Sequence, residues 1–182
     1  DGIYVPNITF GFKFLSSIKK ITSLPADVHL MIAHPQRYIK DFIDAGANIL
    51  TFHYETVHFP LRIIDDIKML NCKAGIAINP STPVNILKDV ICYLDVVLLM
   101  SVEPGFYGQD FIDTSYRRIK ELKDLITAAN SKTLIEVDGG IGLDNYKQLI
   151  DIGTDIFVIG NTFFKQKDYK KSPGVYCLRS NI

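Results

Sequence analysis

Five polar residues each stand at or just after the end of a short apolar run. They are His29 (DVHLM), His53 (TFHYE), Asn79 (INP), Glu103 (SVEPG) and Asp138 (EVDGG). If the runs are parallel strands of one sheet, their carboxyl ends meet on one face and these side chains converge on one pocket. Imidazole and carboxylate groups are ligands for a divalent metal, although the spacing contains no local metal motif. A metal site and a set of structural histidines both remain open.

Asp138 is the sharpest of these candidates because nothing bulky follows it. Gly139 and Gly140 come next, and Gly160-Asn161 follows the last apolar run in the same way. In eight-stranded barrels, the loops after the last two strands frequently bind phosphate, and backbone N–H groups can do this without a lysine or arginine cluster. We therefore predict a phosphate site at these two turns. The alternative for Asp138 is a helix cap or a turn residue.

The stretch 96–111, VVLLMSVEPGFYGQDF, joins the most regular apolar run to a glycine-containing loop. Its first five residues are typical of a strand that is buried on both faces. Loops at the carboxyl ends of such strands bind ligands, and Gly105 and Gly108 would let backbone N–H groups approach an anion. Met31 and Met100 end or follow strands on the same face, where methionines are mostly core residues. An ordinary strand-to-helix turn is the alternative for the loop.

Apolar periodicity predicts six strands that alternate with helices. The predicted strands are 26–31, 49–53, 73–78, 96–100, 134–137 and 156–159, and the predicted helices are 12–20, 35–46, 61–70, 83–90, 114–129 and 143–152. Strict alternation favours parallel strands with right-handed helical crossovers. An open doubly wound sheet and a closed (β/α) barrel both fit. An eight-stranded barrel typically needs about 250 residues, so this chain of 182 residues is short by roughly two elements.

Composition excludes several classes of protein. Hydrophobic residues make up 47% and charged residues 22% of the chain, the formal net charge is zero, and there are three cysteines without metal-like spacing. A polyanionic partner, a charged membrane surface and a disulfide framework are therefore not indicated. With no apolar run of 18 residues and no signal peptide at its start, the chain is expected to be one cytoplasmic domain, 1–182, with an irregular tail at 170–182.

The motifs DGIYVPN, DVHLM with a following Pro35, TFHYE, INPSTP, LMSVEPGFYGQDF, IEVDGG and VIGN, in this order, resemble the ribulose-phosphate 3-epimerase family. The resemblance extends from Asp1 to about Asp168. It implies an α/β (β/α)8 TIM barrel and an isomerase of the pentose phosphate pathway, which interconverts D-ribulose 5-phosphate and D-xylulose 5-phosphate. In that family, two aspartates exchange the C3 proton on opposite sides through an enediolate, beside one divalent metal ion (zinc, iron, manganese or cobalt).

The resemblance also implies roles for individual residues. His29 and Asp138 match metal ligands, and Asp138 also matches one of the two proton-transferring carboxylates. His29 and Asp138 are also expected to bind substrate. The other substrate-binding matches are the covering loop Gly105, Phe106, Tyr107 and Gly108; the turn from Asp138 through Gly139 and Gly140 to Ile141; the phosphate site at Gly160 and Asn161; and the pocket methionines Met31 and Met100.

Two departures from the family pattern bear on activity. The family has a His-x-Asp strand motif shortly before its DG-x-x-VPN segment, which supplies another metal ligand and the second catalytic aspartate; we expect the first strand and most of the second to be absent from this chain. In addition, Tyr107 and Asn161 stand where glycine and serine are usual. The alternatives are an allulose-6-phosphate 3-epimerase or related sugar-phosphate barrel, and a non-catalytic phosphosugar-binding fragment. Unpaired strand edges would also favour homo-oligomers.

Overall fold

Six parallel strands form a single curved sheet in the computed structural model, which describes residues 1–165. The strands are β1 (Asp27–Leu30), β2 (Ile49–His53), β3 (Lys73–Ile78), β4 (Val96–Met100), β5 (Leu134–Asp138) and β6 (Ile156–Val158). They lie in the order β1-β2-β3-β4-β5-β6, and every neighbouring pair is parallel. All six predicted strands are confirmed. The predicted tail, 170–182, lies outside the described residues.

The strand order decides between the two architectures that the sequence left open. A doubly wound sheet reverses its strand order at a switch point and has helices on both faces. In this sheet each strand instead pairs with the next in sequence, and the buried helix residues pack in one cluster with alternate strand residues. Helices on one face of a sequentially ordered parallel sheet are the arrangement of a (β/α) barrel. The barrel prediction is confirmed in this sense: the described residues form a curled half-barrel.

In the part of the chain that the structure describes, six α-helices connect or flank the strands. They are α1 (Phe12–Lys19), α2 (Ile39–Asp44), α3 (Pro60–Met69), α4 (Thr114–Ala128), α5 (Tyr146–Asp151) and α6 (Asn161–Phe164). The helix predicted from Pro35 is split, because Tyr38 has non-helical dihedral angles between a 3₁₀ turn and α2. The helix predicted to begin at residue 143 begins at Tyr146, because the Asn145 side chain bonds to Gly142 N and Gly140 O and holds the preceding residues in a turn.

The helix predicted at 83–90 is wrong. The segment forms two 3₁₀ turns, Val84–Leu87 and Ile91–Tyr93, and its N–H groups bond to carbonyl groups three residues earlier. β-Branched residues in this segment restrict side-chain rotamers in a helix. The two short turns are sufficient to bury Leu87 and Ile91 completely against the helical layer.

The hydrophobic core lies between the helices and the outer face of the sheet. Alternate strand residues such as Leu50, Ile76 and Leu99 point into it and meet Ile64 of α3 and Ile119 of α4. The side chains at the intervening strand positions point to the inner face, where Ala77, Leu98, Met100 and Val102 form a separate small cluster with Met31. This period of two separates a core that stabilises the fold from an inner face that is available for chemistry.

The inner face also contains buried polar groups below the mouth of the half-barrel. Thr51 and Glu136 are buried, and the Thr51 hydroxyl lies against Gly75, where an added Cβ would overlap it. Burial, together with the charges of Asp27 and Asp138, raises the pKa of Glu136. The surroundings of Glu136 therefore favour its neutral, protonated form.

Arg118 joins the loops at the carboxyl ends of two neighbouring strands. Its buried guanidinium donates hydrogen bonds to the carbonyl oxygens of Met100 (3.1 Å), Asn79 (2.7 Å) and Thr82 (3.0 Å). Guanidinium is suited to this role because its several donors have a fixed geometry. One side chain on α4 thus positions the backbone beyond β3 and β4.

None of the helices within residues 1–165 combines the length and apolar character that crossing a membrane requires. The assignment of 1–182 to a single domain stays a prediction.

Replacing Leu99 by alanine should lower the free energy of unfolding by about 2–5 kcal/mol, because it removes a fully buried side chain and leaves a cavity. Leu143→Ala is the matched control: that side chain is 59% exposed, so its loss should change stability by less than about 0.5 kcal/mol. Urea denaturation of both variants measures the difference. Equal losses would contradict the assignment of the core to the outer face of the sheet.

Candidate active site

A cavity of about 810 Å³ opens at the carboxyl ends of the strands. Its size lies within the range usual for small-molecule sites. Twelve of the thirteen sequence-predicted site residues line it: Met31, Met100, Gly105, Phe106, Tyr107, Gly108, Asp138, Gly139, Gly140, Ile141, Gly160 and Asn161. The thirteenth, His29, lies behind Asp138, with its Nδ1 atom 3.7 Å from Asp138 Oδ2.

The loop after β4 covers one side of this cavity. Gly105 and Gly108 have φ angles of 115° and 80°. Residues other than glycine rarely adopt this region of backbone conformation. Gln109 Nε2 donates to the carbonyl oxygens of Glu103 (2.6 Å) and Phe106 (2.9 Å) and so holds the loop in a compact turn. Tyr107, at the tip, is 92% exposed. The loop therefore presents an aromatic side chain to solvent above the cavity.

The turn after β5 requires glycine at two successive positions. Gly139 and Gly140 have φ angles of 122° and 62°, and an added Cβ would overlap Val102 at the first position and the Phe111 backbone at the second. Hydrogen bonds from Ser101 Oγ to the carbonyl oxygens of Asp138 (2.9 Å) and Gly139 (2.6 Å) also hold the turn. The backbone here packs against Val102 and Phe111 more closely than any residue with a side chain would allow.

The turn after β6 lies beside this one. Thr162 Oγ1 donates to the carbonyl oxygen of Ile141 (2.8 Å), which joins the start of α6 to the turn after β5. An added Cβ at Gly160 would meet no atom within 4 Å, so the cavity is open at this point. The two glycine turns predicted to bind phosphate thus form adjacent parts of one wall.

His29, His53 and Asp138 come together on the inner face although they lie on three strands. The His29 and His53 Nε2 atoms are 2.8 Å apart, and their rings stack with centroids separated by 4.9 Å. His29 Nδ1 faces Asp138. These three side chains therefore converge as predicted, whereas of the five predicted polar residues only Glu103 and Asp138 line the cavity itself.

Glu55 and Tyr4 extend this cluster, and the sequence analysis missed both. His53 Nδ1 lies 2.7 Å from the Tyr4 hydroxyl and 3.3 Å from Glu55 Oε2. The Tyr4 hydroxyl also donates to Asn79 Oδ1 at 3.0 Å, which brings the predicted Asn79 into the same network. Glu55 stands two residues after a strand-end histidine, and that proximity was the available signal. Tyr4 gave no such signal, since its loop reaches β2 only in the folded chain.

Glu103 has a different place from the other strand-end residues. It lines the cavity at the base of the covering loop, and its carbonyl oxygen accepts a hydrogen bond from Gln109. Its position three residues beyond β4 places it on the loop, at the mouth of the half-barrel.

Burial and hydrogen bonding shift the pKa values of the cluster in known directions. Burial lowers the pKa of His53 and so favours the neutral imidazole. Burial alone would raise the pKa of Glu55, but hydrogen bonds from His53, Thr82 and the Asn79 backbone outweigh it and lower this pKa to about 2. An ionised Glu55 therefore faces a neutral His53.

His29 and Asp138 have the chemistry and spacing of two ligands of a divalent metal. Nitrogen and oxygen ligands lie about 2.0–2.2 Å from zinc, so two of them can be up to about 4.2 Å apart; the observed separation is 3.7 Å. Within residues 1–165, no group of three or more histidine, cysteine, aspartate or glutamate side chains is placed to hold a metal. The described residues thus fit a metal as two of its ligands.

Comparison with known proteins identifies similar sequences over nearly the whole chain. Residues 1–164 match the model of the "Ribulose-phosphate 3 epimerase family". The chain is 45% identical to ribulose-phosphate 3-epimerase of Aquifex aeolicus over 92% of this chain and 76% of the relative, and 44% identical to that of Bacillus subtilis over 94% and 80%. It is 41% identical to the chloroplastic enzyme of Arabidopsis thaliana, of which it spans 62%.

Solved structures with a similar fold include a mutant tryptophan synthase α-subunit from Pyrococcus furiosus. The TM-score is 0.65 at 15% identity, over 85% of this chain and 63% of that one. The chain therefore spans less than two thirds of that structure, and the likeness supports the fold alone.

Replacing Glu55 by glutamine should remove a pH-dependent part of the stability. The pKa of the folded carboxyl, about 2, lies below its ordinary value of 4.5, so its contribution is fully present above about pH 4.5 and is lost as the pH falls toward 2. We expect the difference in unfolding free energy between the original chain and Glu55→Gln to narrow over that interval. Denaturant titrations at several pH values measure it.

Glu121→Gln is the matched control, because it removes an exposed carboxylate on α4 that pairs with Arg117. A difference between the original chain and Glu55→Gln that stays constant from pH 7 down to pH 3 would contradict the hydrogen-bonded, ionised state of Glu55.

Proposed function

The chain belongs to the ribulose-phosphate 3-epimerase family, and from this premise we propose that its cavity binds a ketose 5-phosphate and that Asp138 exchanges a proton at the substrate's C3. Members of this family are isomerases, and the named relatives act on ribulose phosphate. The observation that supports the proposal best is the position of Asp138, at the end of β5, on the cavity wall and next to two glycines.

Inversion at a carbon beside a carbonyl needs a base on one side and an acid on the other. The C3 proton is acidic enough to transfer because the carbanion is delocalised into the adjacent carbonyl as an enediolate. Asp138 is suited to one of these roles, since its carboxylate lines the cavity and its backbone is held by Ser101. A positioned general acid or base contributes typically about 10²–10⁴-fold to the rate.

We assign the opposing proton transfer to the aspartate of the family's His-x-Asp segment, which by resemblance precedes the DGIYVPN loop. Asp1 holds that loop against β1: its carboxylate accepts hydrogen bonds from the N–H groups of Ile3, Tyr4 and Ala33. The same loop contacts His53 through Tyr4 and lies against Gly105 of the covering loop through Val5 and Pro6.

The two glycine turns would bind the phosphate group. The turn at Gly139–Gly142 and the turn at Gly160–Asn161 share one wall of the cavity, and Gly108 of the covering loop lies close to Asn161. Backbone N–H groups can bind an anion where the chain approaches closely. Phosphate held there would orient the sugar so that C3 lies toward Asp138, and Gly105–Gly108 would cover it and exclude water.

His29 and Asp138 would hold one divalent cation, which supplies positive charge next to the oxygens of the enediolate. We further propose a cytoplasmic location, which the free thiols of Cys72 and Cys92 support. Homo-oligomerisation stays a prediction.

Replacing Asp138 by asparagine should lower kcat by about 10²–10⁴-fold and leave the fold intact, because an amide cannot exchange the C3 proton. Xylulose 5-phosphate formation from ribulose 5-phosphate measures turnover, and circular dichroism reports the fold. The assay is run on this chain and on a version extended through the family's His-x-Asp segment, each with and without the substitution. Asp124→Asn, on the exposed face of α4, is the matched control. Full activity of Asp138→Asn in either version would disprove the assignment.

Chelation of divalent metal should reduce turnover of the active version, and added Zn²⁺, Mn²⁺ or Co²⁺ should restore it, because uncompensated charge on the enediolate raises the barrier. Chelation and added metal should leave the thermal unfolding temperature of Asp138→Asn unchanged, since that variant lacks one of the two proposed metal ligands. Turnover that is insensitive to chelation at equilibrium would rule out the metal.

A further inference from the structure

We propose that Glu55 and His53 are positioning residues that determine which nitrogen of His29 carries its proton, so that the lone pair of His29 Nδ1 faces Asp138. The inference rests on the proposed function, because it assigns the metal-binding atom of His29. It is carried by the hydrogen bonds of four side chains that converge from the strand ends and their loops.

The orientation of the network begins at Glu55, which can only accept hydrogen bonds when it is ionised. Its Oε1 atom accepts from the Asn79 backbone N–H at 2.8 Å and from the Thr82 hydroxyl. Its Oε2 atom is thereby left to face His53 Nδ1 at 3.3 Å. A carboxylate oxygen in this position requires a proton on His53 Nδ1.

The bonds of Tyr4 fit the same assignment. Its single hydroxyl proton is used in the bond to Asn79 Oδ1, so its oxygen accepts from His53 Nδ1, 2.7 Å away. Both neighbours of this nitrogen are therefore acceptors.

The orientation then passes from His53 to His29. A neutral His53 that is protonated on Nδ1 has a lone pair on Nε2. His29 Nε2 lies 2.8 Å from that atom, so His29 must donate its proton there. Water cannot substitute for this partner, because His53 is completely buried.

His29 Nδ1 consequently has a lone pair, and it faces Asp138 Oδ2 at 3.7 Å. This separation exceeds the usual length of an N–H···O hydrogen bond, as expected if no proton lies between the two atoms. Two acceptors that face each other across such a gap are suited to a cation. A metal-binding histidine usually donates its other ring N–H to a partner that orients it; here His53 is that partner, and Glu55 sets the orientation of His53.

Nitrogen-15 NMR of the chain labelled in histidine tests this assignment without any metal, because ring nitrogen shifts distinguish protonated from unprotonated atoms. At neutral pH we expect His53 to be protonated on Nδ1 and His29 on Nε2, with the signals assigned from His29→Asn and His53→Asn. His29 protonated on Nδ1 in the metal-free protein would overturn the proposal.

Glu55→Gln should invert both tautomers. The glutamine oxygen would keep the bonds from Asn79 and Thr82, so the amide NH₂ would face His53 Nδ1 and donate to it. The His53 proton would move to Nε2 and the His29 proton to Nδ1, and the Tyr4 hydroxyl would turn its proton from Asn79 to His53 Nδ1. Thr82→Val is the matched control: it removes the loop's hydroxyl bond to Glu55 but leaves Oε2 opposite His53, so the tautomers should not change. Unchanged tautomers in Glu55→Gln would contradict the role of Glu55.

A Zn²⁺ titration followed in the same spectra adds a readout of binding. We expect the coordination shift at His29 Nδ1, and a Zn²⁺ affinity about 10–100-fold weaker in Glu55→Gln; a coordination shift at His29 Nε2 would overturn the proposal. Two different outcomes separate a failure of the proposed epimerase function from a failure of this inference. The expected tautomers in a protein without epimerase activity would leave this inference standing, whereas an active epimerase with reversed tautomers would refute it alone.

Discussion

The parallel register of the sheet is the constraint on which the rest of the structure depends. Because neighbouring strands run in the same direction, Met100 of β4 pairs with Asp138 of β5. His29 of β1 pairs with Thr51 of β2, two residues before His53. Every strand therefore delivers its last side chains to one edge. Within residues 1–165, the buried helix residues pack against the outer face, and the inner face holds polar groups. A site assembled from several strands is a direct consequence of this topology.

Hydrogen bonds stabilise the polar side chains at the ends of β1 and β2. The bonds that join Glu55, His53 and His29 satisfy groups that burial would otherwise destabilise. These bonds also connect the ionised carboxylate of Glu55 to the histidine that faces Asp138, the carboxylate on the cavity wall. Stability and function are in this way served by the same bonds.

The strands and the residues at their ends could be predicted from the sequence because both depend on local patterns. An apolar run such as Val96–Met100 is long enough to identify a buried strand, and a glycine pair after Asp138 signals a close backbone approach. The segment at 83–90 was mistaken for a helix, since its apolar period fits both a helix and successive 3₁₀ turns. Local periodicity cannot decide between them when packing against the sheet supplies most of the stability.

The sequence by itself determined the alternation of strands and helices, the family, and twelve residues of the cavity wall together with His29. Only the tertiary structure decided that the sheet has a sequential order with helices on one face. Only the tertiary structure showed that the Tyr4 hydroxyl, forty-nine positions away in sequence, contacts the imidazole of His53. The physical reason is that strand register and the orientation of hydrogen bonds depend on atoms that packing brings together. Local sequence patterns do not indicate which distant residues will meet.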